Sequence, residues 1–178
     1  AEKALTAAPV IAAPPRPVAL AAKAVLELWP LMQISDHAGE LGWNPGAAKA
    51  WAPSQRERLG ESIATERATQ LFILFDAIGY ALPDATWDSL LAGSLTVTAY
   101  VPSPALVRSL EGAALNNRLG ETVLLGLLAL GDVGPAGAAP STLRTVIRAF
   151  NTVGLKAESR ALALEAMLGR GFCPRQNR

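Results

Sequence analysis

The one histidine of the chain, His37, has carboxylates on both sides, because Asp36 precedes it and Glu40 follows three residues later. A histidine beside carboxylates can bind a metal ion or serve in an acid/base pair. Zinc in proteins takes several nitrogen or sulfur ligands, however, and this glycine-containing segment offers a single nitrogen ligand. The pattern therefore favours a surface histidine, and we predict no catalytic residue, no metal site and no cofactor.

A second candidate for chemistry is Glu61, which Ser62 follows directly. This pair resembles the Glu-Ser of lytic transglycosylases, and the Leu-Met-Gln at 31–33 resembles part of their Gly-Leu-Met-Gln stretch. The two segments occur in the reverse order here, and Pro30 stands where that family has glycine. A general acid also needs an apolar pocket that raises the pKa of its carboxyl group, and a glutamate in an exposed helix lacks one. A helical hydrolase with 30–51 as its active-site loop is thus the alternative to a non-enzymatic protein.

Other signatures of chemistry are missing from the sequence. There is no Gly-x-Ser-x-Gly elbow, and the glycine-rich run from Gly131 to Gly137 lacks the lysine and the Ser/Thr of a phosphate-binding loop. The lone Cys173 excludes an internal disulfide and a thiolate cluster. A net charge of +1 provides no long-range field that would favour nucleic acid.

Basic residues concentrate in the last predicted helical hairpin. Arg144 and Arg148 lie four residues apart and share a helix face, while Arg160 belongs to the next helix. Arginine can hold a carboxylate through two parallel hydrogen bonds, so we predict that these three residues bind an acidic segment of a protein partner. The loop around Trp43 is the alternative binding face. Contact with phosphate or nucleic acid through this hairpin is a further alternative, which the lack of interleaved aromatic residues disfavours.

The composition predicts an all-α protein of one domain. The chain has 178 residues and a mass of 18.6 kDa, enough for a substantial core. Hydrophobic residues make up 51% of it, and most of them are alanine and leucine, which favour helix over strand. The apolar runs are shorter than the roughly 20 residues of a membrane-spanning helix. We therefore predict no transmembrane segment, and the oligomeric state stays open.

Three segments are predicted along the chain. Residues 1–16 are rich in alanine and proline, so we predict an extended leader that acts as a spacer. Residues 17–171 form the helical domain, and 172–178 form a polar tail. A leader of this kind suits a protein of the bacterial envelope or periplasm, although a cytoplasmic location stays open.

In the first half of the domain, Pro17 begins a helix that Pro30 ends or kinks. Residues 30–51 are a long loop, which Trp43 and Trp51 anchor to the helical body. The Ser54 and Glu57 pair is a capping box, which predicts one helix over 54–78, ended by Gly79. A short helix capped by Asp84 follows, and 95–101 is an extended connector.

In the second half, Ser103 and Pro104 begin a helix that runs to about Arg118, and Ser141 caps another that Gly154 ends. The last helix covers about 156–168. Between them lies the stretch 119–133, which has no polar side chain from Val123 to Leu130 and therefore predicts a central buried helix. We expect near-complete burial of three of its leucines and a cost of roughly 2–5 kcal/mol for Leu127→Ala. These leucines are Leu125, Leu127 and Leu128.

An internal similarity links the last two hairpins. A shift of 37 residues lays Leu143 on Leu106 and Met167 on Leu130, and a second, similar shift brings Gly79 near Gly154. A helix pair that recurs at such a period is typical of helical solenoids.

Through the turn and small-residue helix from Val153 to Met167, the chain resembles tetratricopeptide-like repeat proteins over about 68–169. The period is longer than the 34 residues of that family. The resemblance implies stacked helical hairpins, as a short α-solenoid or an irregular bundle, that act as a binding scaffold without catalytic residues. We therefore interpret the chain as a non-enzymatic protein–protein interaction or scaffold module, such as an accessory subunit of a larger bacterial assembly.

Overall fold

A computed structural model describes residues 16–35, 43–91 and 99–172. These residues contain nine α-helices and no β-strand, which confirms the all-α prediction. The helices are α1 (Arg16–Ile34), α2 (Pro45–Leu59), α3 (Glu61–Ile78), α4 (Asp84–Leu91), α5 (Pro104–Leu115), α6 (Leu119–Leu130), α7 (Gly134–Gly137), α8 (Pro140–Thr152) and α9 (Lys156–Gly169). The predicted leader, except for its last residue Arg16, and Cys173 lie outside the described residues, as do Asp36, His37 and Glu40.

Helix α8 occupies the centre of the fold. It packs extensively against each of α3, α5, α6 and α9. Its buried apolar side chains follow the three- and four-residue spacing of one helix face, which an amphipathic helix presents to a core. These side chains are Leu143, Val146, Ile147 and Phe150.

A cluster of aromatic rings joins α1 and the end of α3 to the residue Trp43, which precedes α2. Trp43 stacks on Tyr80 with ring centroids 4.5 Å apart, and Trp29 and Phe75 pack edge-on within the same cluster. Trp51 is buried and stacks on Phe172 at 6.0 Å. The prediction that Trp43 and Trp51 anchor their segment to the helical body is therefore confirmed. Phe172, predicted as the first residue of the polar tail, belongs instead to the packed body.

Several predicted helix limits in the N-terminal half are wrong. Helix α1 continues through Pro30 to Ile34, and α2 already begins at Pro45, so residues 30–34 and 45–51 of the predicted loop are helical. Asn44 caps α2, since its side-chain oxygen accepts a hydrogen bond from the backbone N–H of Ala47 at 3.1 Å. A capping asparagine followed by a proline in the first turn provides a complete start signal upstream of the predicted one.

The predicted capping box at Ser54 does not form. Ser54 lies inside α2, where its hydroxyl donates to the carbonyl of Trp51 at 2.7 Å. Gly60, with a φ of +80°, separates α2 from α3, so the single helix predicted over 54–78 is two helices. Gly79 does end α3, in a left-handed conformation, as predicted.

Four helix ends share one pattern of backbone hydrogen bonds. The N–H of Tyr80 donates to Phe75 O, that of Arg118 to Ala113 O, and that of Leu155 to Phe150 O, each at 2.9 Å, and that of Phe172 donates to Met167 O at 3.1 Å. The residue before each donor has a positive φ, which is the geometry of a Schellman-type helix end. These residues are Gly79, Asn117, Gly154 and Gly171.

The packing order of the helices is not the order of a solenoid, in which each hairpin stacks on the next one along the chain. Helix α8 packs on α3 on one side and on the α5–α6 hairpin on the other. Helix α3 therefore meets a hairpin that lies far along the chain, rather than the α5–α6 hairpin that follows it. The described helices form an irregular bundle around α8.

Helix α6 is not the buried central helix that its composition predicts. Leu127 and Leu128 are 57% and 60% exposed, and Leu125 is half-buried. The face that α6 turns toward α8 carries small residues, among them Gly126, where an added Cβ would lie 2.6 Å from the ring of Phe150. Because this contact is so close, a larger side chain does not fit at position 126. Leu130 is buried at the end of α6, but Leu124, Leu127 and Leu128 lie on its exposed side.

The remaining limits deviate by smaller amounts. Ser103 caps α5 as predicted, since its hydroxyl accepts from the N–H of Leu106 at 3.3 Å, but the helix ends at Leu115. Helix α8 begins at Pro140 without a side-chain cap, one residue before the predicted Ser141. The last helix agrees with its prediction to one residue. Residues 92–98, which include most of the predicted connector, lie outside the described residues.

Candidate functional site

Two of the predicted partner-binding arginines form ion pairs within the chain. Arg144 Nε donates to Asp76 Oδ2 at 2.7 Å, and Arg148 Nη2 donates to Asp76 Oδ1 and Oδ2 at 3.1 and 3.0 Å. Asp76 lies on α3, so these contacts bind the central helix to α3. The carboxylate that we predicted on a partner is already supplied by the protein itself.

Arg160 is also engaged, but elsewhere. Its Nη1 lies 3.5 Å from the carbonyl oxygen of Gln33 and 3.4 Å from that of Ile34, at the C-terminal end of α1. Its guanidinium lies 5.8 Å from the ring centroid of Tyr80. A cation at a helix C-terminus is favourable, so Arg160 holds α9 against α1.

Arg148 and Arg160 nevertheless border one groove, which has a volume of about 510 Å³. Lys156 and Asp76 also line it, so three cations face a single carboxylate there. Arg144 borders a different, smaller groove of about 290 Å³ that contains Glu111. Arg148 also borders this smaller groove, so it lies next to Arg144, with which it shares Asp76, and next to Arg160 in the larger groove. The structure does not bring Arg144 and Arg160 to the same groove.

Trp43, the alternative binding residue, lies within the aromatic cluster. It is half-buried, stacks on Tyr80 and packs edge-on against Phe75 at 5.2 Å. The hydroxyl of Tyr80 in turn donates to Gln33 O at 3.0 Å, which fixes the orientation of the ring. These contacts anchor Trp43 in the core.

The surroundings of Glu61 differ from those of a general acid. Glu61 begins α3, its side chain is 71% exposed, and its carboxylate lies 3.0 Å from Arg56 Nε. A catalytic glutamate needs an apolar enclosure, which this position does not provide. Within the described ranges, no group of three or more His, Cys, Asp or Glu side chains is arranged to hold a metal ion.

Arg170, directly after α9, contacts residues of two other parts of the fold. Its Nε donates to Ala136 O at 2.7 Å, its Nη2 donates to the carbonyl of Ala138, and its Nη1 lies 3.4 Å from Gln70 Oε1. Burial lowers the pKa of the Arg170 guanidinium from its usual value, and the nearby carboxylate of Glu66 opposes this shift. The side chain therefore links α9 to α7 and α3.

The feature that the sequence analysis missed is an exposed apolar face on α6. Leu124, Leu127 and Leu128 are 64%, 57% and 60% exposed and lie at positions i, i+3 and i+4 of the helix. Leu115 and Leu119, at the turn before α6, are also exposed. We call these five leucines the α6 face. The sequence did contain a signal for the orientation of α6, because the side that faces the core carries small residues. These residues are Thr122, Gly126 and Ala129.

Comparisons with known proteins leave the chain without an assigned relative: no family model, no curated protein and no solved structure matches it. The tetratricopeptide-like resemblance therefore has no support from a family match. No helix in the described part of the chain is both long and apolar enough to cross a membrane.

Proposed function

We propose that this protein is a non-enzymatic interaction module that binds a helix of a partner protein through the α6 face. The observation that carries the proposal is the exposure of Leu124, Leu127 and Leu128 on one side of a helix whose other side packs on the core. A contiguous apolar patch on a protein surface marks an interaction site. Leucines at this spacing fit the apolar face of an amphipathic helix.

The way α6 is held supports this role. The close contact between Gly126 and Phe150 fixes α6 on α8. A surface that is rigid before binding loses little conformational entropy when it binds. The α6 face is therefore presented in a form ready for a partner.

The position of the α5–α6 hairpin in the bundle also supports the proposal. Its helices pack on α8, and among the other described helices only α7 has a further substantial contact with α6. The side of α6 that faces away from α8 therefore stays accessible to a partner.

The experiment compares what the full chain retains from lysates of its source cells. We expect wild type to retain a defined partner that a Leu124→Gln, Leu128→Gln double variant loses. A double variant at exposed apolar positions elsewhere, Leu168→Gln with Val25→Gln, is the matched control and should retain it. Analytical ultracentrifugation of each protein shows separately whether the partner is a second copy of the chain.

Retention of the same partners by the Leu124→Gln, Leu128→Gln variant at an unchanged melting temperature would refute the proposal. The absence of any specific partner and of self-association in wild type would refute it as well.

A second candidate is the binding of an acidic protein segment in the groove lined by Arg148, Lys156 and Arg160. The excess of cations over the single carboxylate of Asp76 in this groove favours it. Fluorescence anisotropy with a labelled glutamate-rich peptide should show binding that Lys156→Glu weakens. A duplex DNA of equal charge should bind no better, since the net charge of the chain is +1.

The location that we propose is the bacterial envelope or periplasm. The Ala/Pro composition of 1–16 suits a spacer between an anchor and the helical body. Cell fractionation of the natural protein tests this location, and recovery in the cytoplasmic fraction would contradict it.

A further inference from the structure

A pocket of about 480 Å³ lies between α2 and the start of α4, with Phe72 of α3 bordering it from below. Its lining is mainly apolar, and three prolines form much of its walls. The fixed φ of proline limits backbone motion at these three positions. The apolar lining residues are Pro45, Ala52, Pro53, Phe72, Pro83 and Ala85. Pockets of this size and composition are typical of small-molecule sites.

The charged residues that border this pocket are both cationic. Lys49 is exposed and makes no ion pair with any described residue, whereas Arg56 already holds Glu61 at 3.0 Å. No carboxylate among the described residues lines the pocket. The nearby Asp84 is exposed and is not part of the lining. Lys49 is therefore the cation available to a ligand.

The N-terminal ends of two helices border the pocket. Pro45 and Gly46 of the first turn of α2 line the pocket, as do Pro83 and Ala85 at the start of α4. The N-terminal end of a helix carries a partial positive charge that favours an anion. The carboxylate of Asp84 in the first turn of α4 offsets part of this field, so the potential that favours an anion comes mainly from Lys49 and the start of α2. A cationic ligand is therefore disfavoured.

We propose that this pocket binds an amphiphilic monocarboxylate, with its apolar body against the proline walls and Phe72 and its carboxylate at Lys49. One available cation matches one negative charge, and the apolar walls match a hydrocarbon or aromatic body. The site shares no residue with the α6 face, so it stands independently of the proposed protein-binding function.

The experiment is isothermal titration calorimetry of the full chain with decanoate, decanol and decyltrimethylammonium, each below its micellar concentration. We expect saturable binding of decanoate, about threefold to fivefold weaker binding of decanol, and no binding of the cation. Octanoate should bind more weakly than decanoate, since each buried methylene changes affinity by about threefold to fourfold.

Two substitutions test the location of the site. Lys49→Glu should weaken decanoate binding by about fivefold to tenfold, since it reverses an exposed charge. Ala52→Leu should abolish the binding because it fills the pocket. The matched controls are Arg108→Glu on α5 and Ala50→Leu, an exposed position on α2 outside the lining, and both should bind as wild type does.

Each variant is first shown to have the melting temperature of wild type. Equal affinity for decanol and decanoate, or undiminished binding by Lys49→Glu, would overturn the assignment of a carboxylate. Undiminished binding by Ala52→Leu would overturn the location, and the absence of saturable binding to wild type would overturn the proposal as a whole.

Discussion

Helices α6 and α8 pack against each other, yet their positions in the fold are the reverse of what their compositions suggest. Helix α6 is apolar throughout from Val123 to Leu130 and lies at the surface, with one whole face exposed. Helix α8 carries two arginines and lies at the centre. The comparison shows that the distribution of residues around a helix, rather than the number of apolar ones, decides what it buries.

The two helices meet through small residues on one side and large ones on the other. Helix α8 contributes Phe150 and Val146, and α6 contributes Gly126, which leaves room for the phenyl ring. The polar side of α8 stays partly exposed, since the side chains of Arg144 and Arg148 are 44% and 48% exposed while both bind Asp76 on α3. A central helix can thus carry charged residues on the side that reaches solvent.

The largest expected effect is the difference in stability between a Leu→Ala substitution in α8 and one in α6. Leu143→Ala in α8 removes a fully buried side chain and should lower the free energy of unfolding by roughly 2–5 kcal/mol. Leu127→Ala in α6 removes an exposed one and should cost less than about 1 kcal/mol, in contrast to the sequence-based prediction. Urea denaturation of both variants measures the difference. Equal losses would mean that α6 is as buried as its composition suggests.

The contact between the two helices is tested by Gly126→Ala. An added Cβ at this position would lie 2.6 Å from Phe150 Cε1, so we expect a loss of roughly 1–3 kcal/mol from overpacking. Gly120→Ala, on the same helix with no neighbouring atom within 4 Å, is the matched control. It should be neutral or stabilising by up to about 1 kcal/mol, because alanine favours helix over glycine. Thermal and urea denaturation distinguish these outcomes, and a stabilising Gly126→Ala would contradict the close packing.

Some features of the fold could be predicted from the sequence and others could not. Local signals performed well: Ser103 caps α5, Gly79 ends α3, and the last helix agrees to one residue. Such signals depend on residues within one turn of each other, which the sequence displays directly. The Ser54 capping box failed because Asn44 and Pro45 start the helix earlier, and two competing start signals cannot be ranked from one sequence.

Long-range contacts could not be predicted in this way. The pairing of Arg144 with Asp76 joins residues 68 positions apart, and no local pattern indicates it. The orientation of α6 depends in the same way on Phe150 facing Gly126. The candidate binding residues therefore differ between sequence and structure. The sequence indicates arginines that form contacts within the fold, whereas the structure indicates leucines that stay exposed. Phe172 was assigned to the tail because its partner, Trp51, is distant in the sequence.

The charged contact of α8 with α3 should have a smaller effect. Asp76→Asn removes the counterion of Arg144 and Arg148, and we expect a loss of about 1 kcal/mol, since both arginines are partly exposed and screened by solvent. Asp88→Asn, an exposed position on α4, is the control and should be close to neutral. Added salt should reduce the difference between Asp76→Asn and wild type in urea denaturation. The same variant frees two arginines, so it should bind a glutamate-rich peptide more tightly if these residues can hold an acidic partner.

The smallest effect on stability is expected on the exposed face of α6. Leu128→Gln replaces a leucine that is more than half exposed, so the free energy of unfolding should change by no more than about 0.5 kcal/mol. Its effect on association should be large by comparison, because a polar side chain in the middle of an apolar interface leaves a buried amide without a partner. Denaturation and sedimentation of the same samples measure both quantities. A clear loss of stability would show that Leu128 serves the fold, and this would remove the contrast between α6 and α8 on which the proposed binding face depends.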